Sequence, residues 1–143
     1  MESAFRSALM AWLRSDTTLG PQLNAILEDG PAAAPPPQLA IVASAAGEWG
    51  AKGAGGRQVR VALELQVQSD APEQATALAA AIETRIATMA PAQDGFRIVV
   101  TRFLRSRVER RPREIRAILF EYQFSLLATP PSNAATPATG DPT

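Results

Sequence analysis

Residues 57–68 alternate without a break: Val59, Val61, Leu63, Leu65 and Val67 fall on one side, and Gln58, Arg60, Ala62, Glu64, Gln66 and Gln68 on the other. That two-residue period is the mark of a strand with one buried and one wetted face. Upstream, residues 2–15 place Phe5, Ala8, Leu9, Trp12 and Leu13 on one stripe, with Glu2, Arg6 and Arg14 off it. This spacing predicts an amphipathic helix lying on a sheet. Asp16-Thr17-Thr18 can cap a short turn that Gly20-Pro21 ends, and residues 23–27 admit a short edge strand. The prolines of residues 31–37 lack the amide donors of a regular element, so this stretch is expected to run extended over the surface. A strand is expected over residues 39–46, ending at Gly47, followed by a glycine-rich hairpin tip over residues 47–56.

After the alternating strand, Asp70 stands three residues before Glu73 and resembles a capping box. The helix it would open carries Ala75, Leu78, Ala79, Ile82, Ile86 and Met89 at helical spacing, and Pro91 and Gly95 bracket its exit. Residues 96–104 and 115–127 read as two further strands, the second with Ile118, Phe120, Tyr122, Phe124 and Leu126 on one face; residues 105–113 form an arginine-rich connection between them. The order predicts an α+β fold: a mixed, mainly antiparallel sheet of four to five strands, with two helices packed on one face. The other face, bearing Arg60, Glu64 and Gln66, is left to solvent or a partner. Residues 1–127 are expected to form a single domain. Residues 128–143, rich in proline, alanine and threonine with no large apolar side chain, are expected to be disordered.

Composition narrows the chemistry. Hydrophobic residues make up 46% of the 143-residue chain and charged residues 20%, usage typical of a globular domain. The absence of cysteine removes disulfide frameworks, thiolate metal sites and cysteine nucleophiles, and fits a reducing cytoplasm. Without histidine, most common hydrolytic schemes lose a member. The N-terminus lacks a basic region followed by an apolar stretch, and no run long enough to span a bilayer occurs, so neither secretion nor membrane insertion is inferred. Formal net charge is zero, yet residues 97–116 hold eight arginines against Glu109 and Glu114. The remainder is net acidic, a dipolar distribution that suits neighbours meeting head to tail.

Candidate chemistry is sparse. In the glycine-rich stretch, Lys52 is followed by Gly53 rather than Ser or Thr and the segment leads into a strand, which rules out a P-loop; position 58 is Gln58 where a dinucleotide fingerprint needs glycine. Glu28-Asp29 is a solvated turn pair, and Glu64 is expected to pair with Arg60 or a neighbouring subunit rather than to catalyse. No catalytic residue, cofactor or metal site is assigned. The cluster of Arg102, Arg105, Arg107, Arg110, Arg111, Arg113 and Arg116 has two readings. It is either a solvated hairpin or salt-bridged subunit contact, or a phosphate-binding patch in contact with DNA, although no aromatic platform beyond Phe103 accompanies it. Trp12, on the apolar stripe, is expected in the core. Trp49 either anchors an interface or folds back over the sheet edge.

The order of elements resembles the tail completion family of tailed phages and prophages, across residues 2–127. The features that carry the resemblance are the N-terminal helix with its short turn, Pro35-Pro36-Pro37 before the strand with Leu39, Ile41 and Val42, the glycine-rich hairpin, and the junction Val67-Gln68-Ser69-Asp70 into an alanine-rich helix. A last strand alternating as Phe120-Glu121-Tyr122-Gln123-Phe124 completes the pattern. The resemblance implies a non-enzymatic ring subunit, commonly sixfold, assembled in the cytoplasm. Such a ring caps the tail tube of a phage or gene transfer agent, with the major tail tube protein on one side, a head-tail connector or adaptor protein on the other, and possible DNA in the lumen. Contacts are expected through Trp49, Lys52, Arg57, Arg60, Glu64, Arg102, Arg105, Arg107, Arg110, Arg111 and Arg113. The alternatives are a cytoplasmic nucleic-acid-associated protein using the arginines of residues 102–116, and a small ligand-binding or regulatory domain.

Overall fold

The alternating run becomes the central strand of a five-stranded sheet in the computed structural model, which describes residues 1–29, 34–50, 53 and 55–130. In chain order the elements are α1 (Glu2–Arg14), a 3-10 turn (Gly20–Gln22), β1 (Ala25–Leu27), β2 (Gln38–Glu48), β3 (Gly56–Gln68), α2 (Pro72–Ala87), β4 (Phe96–Arg111) and β5 (Ile115–Ala128). The strands lie in the order β1-β2-β3-β5-β4. β1 runs parallel to β2 and every other pairing is antiparallel, so the expected α+β fold with a mixed, mainly antiparallel sheet is observed.

Both helices turn their apolar sides to the same face of the sheet. Phe5, Leu9, Met10 and Leu13 of α1 and Ala75, Leu78, Ile82 and Ile86 of α2 are buried with Val59 to Val67 of β3 and Phe120, Phe124 and Leu126 of β5. Phe5 centres this core, its ring 4.5 Å from Phe124 and edge-on to Phe96 at 6.4 Å. A fully buried side chain of this size contributes about 1.5–3 kcal/mol, so these contacts dominate the fold. At the margin of the core, burial pushes the Tyr122 phenol well above its usual pKa, helped by the charge of Glu83 on α2.

The turn after α1 is built as its residues predict: the Asp16 carboxylate accepts the amides of Thr18 and Leu19, each at 2.8 Å. Trp12 differs from its expected place. It is half-buried on the flank of α1 that faces α2, its indole donating to the Arg85 carbonyl at 2.7 Å while the Arg85 guanidinium lies over its ring at 3.4 Å. Arg85 also donates to the Trp12 carbonyl and the Ser15 hydroxyl and stands 3.6 Å from Asp16, so one side chain ties the two helices together.

Three further expectations are corrected. Asp70 does not cap α2: the capping position is Ala71, and Pro72 opens the helix, where a missing amide costs nothing and the fixed φ already suits a helix. The strand expected to stop at residue 46 continues to Glu48, because Ala46, Gly47 and Glu48 remain in register with Val59, Gln58 and Arg57. The supposed arginine-rich connection is strand: β4 runs to Arg111 and pairs with β5 throughout, leaving Pro112, Arg113 and Glu114 as the turn. Arg113 and Glu114 both take left-handed backbone, φ 64° and 58°, a geometry costly for residues bearing a Cβ. The predicted tail beyond residue 130 and the proline-rich residues 31–33 lie outside the described residues.

Candidate interaction surface

Register assigns every charged strand residue to a face. Because opposed residues of paired strands share a face, the rows opposite the helices read Ala45, Arg60, Gln123, Arg102; Ala43, Ala62, Glu121, Arg105; and Ala40, Glu64, Leu119, Arg107. The next row continues with Gln38, Gln66, Ala117 and Glu109, and Arg111 follows. Two irregularities in β4, at Val99 and Leu104, set this phase. Each adds one residue to the strand and restores the long polar side chains to the open face.

The open face gathers Arg60, Arg97, Arg102, Arg105, Arg107 and Arg111 with Glu64, Glu109 and Glu121: six arginines against three glutamates. Most of the charge is paired within the face. Arg105 meets Glu121 at 2.8 Å, Arg107 meets Glu109 at 2.9 Å, and Arg111 bridges Glu109 at 2.8 Å and Glu64 at 2.9 Å. Glu64, 6% exposed, also accepts from the Gln66 amide at 2.6 Å. It pairs with Arg111 rather than Arg60, whose guanidinium donates to Gln123 at 3.4 Å. Arg102 is exposed and has no carboxylate within ion-pair distance among the described residues. The glutamates at 109 and 121, not singled out from the sequence, are the counter-ions that make the face a network. For Glu121 the signal was the same alternation that placed Tyr122 and Phe124 inside; for Glu109, on the wetted outer half of β4, the sequence carried none.

The other expected contact residues are dispersed. Arg57 lies on the helix side and pairs with Glu2 at the start of α1, 3.7 Å away. Arg110 is opposite Arg116 on the helix side of β4, and Arg113 is in the β4–β5 turn. Trp49 is half-buried and folds back over β3, with its amide donating to the Gly56 carbonyl at 3.3 Å. A Cβ at Gly56 would stand 1.9 Å from the Trp49 carbonyl oxygen, so the close approach requires glycine there. Lys52 lies outside the described residues.

Beyond the helices' cover, the helix-side margin of β4 exposes apolar surface: Phe103 is 46% and Val108 57% exposed. Phe103 touches the core only edge-on, at 5.4 Å from Tyr122. Among the described residues, no three acidic side chains stand close enough to share a metal ion, and no helix is long and apolar enough to cross a membrane.

Residues 7–126 match the family described as tail completion protein gp17. The fold is also that of a chain from a solved structure, the virion of a native gene transfer agent (GTA) particle, with a TM-score of 0.69 and 19% sequence identity over 88% of this chain and 96% of that one. No curated protein sequence matches significantly.

Proposed function

The chain belongs to the tail completion protein gp17 family, a structural component of phage-type tails, and from that premise we propose that it is the terminator subunit. In this reading it forms a ring of six copies that closes the head-proximal end of the tail tube and receives the head connector. Its neighbours are further copies of itself, the major tail tube protein, and a connector or adaptor protein. Assembly takes place in the cytoplasm before the ring becomes part of a particle.

The observation that carries this reading is the bare, charged face of the sheet. Five strands spaced about 4.8 Å apart and 13 residues rising about 3.3 Å each span about 24 by 43 Å, an upper bound of about 1,000 Å². A standard protein interface takes about 800 Å² from each partner. The face is open, polar and largely paired within itself, which suits a surface laid against other proteins better than one closing around a small molecule. The match over residues 7–126 includes β1 to β4 and α2 whole and most of α1 and β5, so nearly all of the described domain takes part in the comparison.

The test combines light scattering, electron microscopy and tube growth. A discrete six-subunit species, and arrest of growth when the protein is added to polymerising tail tube protein, are expected. A protein that stays a single subunit at every concentration and leaves tube length unchanged would overturn the reading. A second reading, contact with DNA in the lumen or in a free monomer, rests on Arg102, which has no carboxylate partner among the described residues, and on the excess of arginine on the open face. It predicts duplex binding whose log affinity falls with log salt by about 0.9 per phosphate contacted.

A further inference from the structure

The ring proposed above leaves open which surfaces join one copy to the next, and the two margins of the sheet answer it. β1 pairs only with residues 38–40 of β2. Beyond the irregularity at Val42, residues 43–48 of β2 have no described strand on their outer side. At the opposite margin β4 meets, besides β5, a short bridge from Ala92 to Arg97 near its start; past its second irregularity residues 105–111 run in unbroken register with β5, and their outer edge has no strand partner among the described residues. Free edges of this length are templates for strand addition unless something blunts them.

We propose that residues 105–111 of one copy add, antiparallel, to residues 43–48 of the next, carrying one sheet across the subunit joint. The inference rests on the ring reading and names its contact.

Polarity permits this pairing. With β2 taken as pointing up, β3 points down, β5 up and β4 down. A β4 beside the β2 of a second copy in the same orientation therefore continues the alternation. The two edges differ, so the contact is heterologous and closes only by rotation, as a ring. An isologous pair, β4 against β4, would turn one copy over.

Size and charge agree. On its outer run β2 presents Ala43, Ala45 and Gly47 to the open face and Ser44 and Ala46 to the helix side, all exposed and all small. β4 presents bulk on both faces, Arg105 and Arg107 on one and Val108 on the other, with Phe103 just before. The small edge leaves room for the long one, and adding a strand there would cover the exposed apolar margin of β4. Beside the β2 edge is a depression lined by Arg6, Glu28, Asp29 and residues 41–44. With Glu48 at the strand end, that margin carries three acidic groups against Arg6, while residues 102–111 carry five arginines and Glu109.

Two double variants test the pairing, each confined to exposed helix-side positions of one edge. Ser44→Lys/Ala46→Lys blocks β2, and Ser106→Lys/Val108→Lys blocks β4. Circular dichroism first establishes that both retain the wild-type fold. Each variant alone is expected to lose the ring, its mass by light scattering falling about sixfold to a single subunit. Mixed in equal amounts, the variants should form a one-to-one dimer and go no further, because the intact β4 of one meets the intact β2 of the other while the remaining edges carry lysine against lysine. Rings that survive both substitutions, or folded variants that fail to dimerise on mixing, would overturn the strand pairing and leave the ring reading standing. A wild-type protein that never assembles would overturn both.

Discussion

Replacing Glu64 with alanine tests whether the open face is held together by its own charges. Glu64 is 6% exposed on a face that no helix covers, and its two oxygens accept from Arg111 at 2.9 Å and Gln66 at 2.6 Å. A hydrogen bond to a charged group is worth about 1.5–3 kcal/mol when buried. Arg111 is 34% exposed and keeps Glu109 at 2.8 Å after the substitution, so its share is discounted towards the 0–1 kcal/mol typical of exposed pairs. The loss expected for Glu64→Ala is therefore about 2 kcal/mol. Over the 123 described residues, an unfolding entropy of about 2.1 cal/mol/K per residue converts this to a fall of about 8 °C in Tm. A double-mutant cycle with Arg111→Ala, measured by thermal and urea unfolding, should return a coupling of about 1 kcal/mol. A Tm change under about 2 °C, together with additive single effects, would refute the account and leave Glu64 merely enclosed by its neighbours.

Three further outcomes are expected. Gly56→Ala forces its new methyl against the Trp49 carbonyl 1.9 Å away; a cost of about 1–3 kcal/mol and a shift in Trp49 fluorescence should follow, and unchanged emission would contradict the close approach. Trp12→Phe removes both the indole donor to Arg85 and the better ring beneath its guanidinium, and should cost about 1–2 kcal/mol in urea unfolding. Asp16 has its pKa held below the ordinary aspartate value by the amides of Leu19 and Thr18, with Arg85 contributing. A depressed folded pKa stabilises above the unfolded value and is lost as pH falls through the folded one, so the Tm advantage of wild type over Asp16→Asn should be full above about pH 5 and shrink progressively as the pH is lowered into the acid range; an advantage independent of pH would sink this assignment.

Much of the fold was legible because burial is one-sided. Val59 to Val67 and Ile118 to Leu126 alternate cleanly, and the stripe of α1 contains Phe5, Leu9 and Leu13 as expected. What failed did so at the margins. The outer half of β4 is wetted on both faces, so Arg105, Ser106, Arg107, Val108 and Glu109 leave no apolar period, and only pairing with β5 reveals a strand. The start of α2 was misassigned because Asp70 and Glu73 mimic a capping box while Pro72 supplies the actual entry. For the candidate surface, the arginines stood out by composition, but which of them share a face depends on extra residues at Val99 and Leu104 that shift the phase of the strand. Arg102 and Arg105 therefore share a face although three positions apart, and Glu64 meets a partner 47 positions away.

The joints around Gly55 carry a practical consequence for orienting the molecule in a particle. Glu2 reaches Arg57, the Ala128 amide donates to the Gly55 carbonyl, and the Thr129 amide to Gly95. Both the start of α1 and the exit of β5 therefore stand at the same pole of the sheet, beside the β2–β3 hairpin, and the Arg113 turn marks the opposite pole. A label fused before Met1 and another placed after residue 130 would decorate one rim only. If a bulky fusion at either position blocks attachment of the same neighbour, that rim is the one the neighbour occupies, and the Arg113 rim faces the other way along the tail.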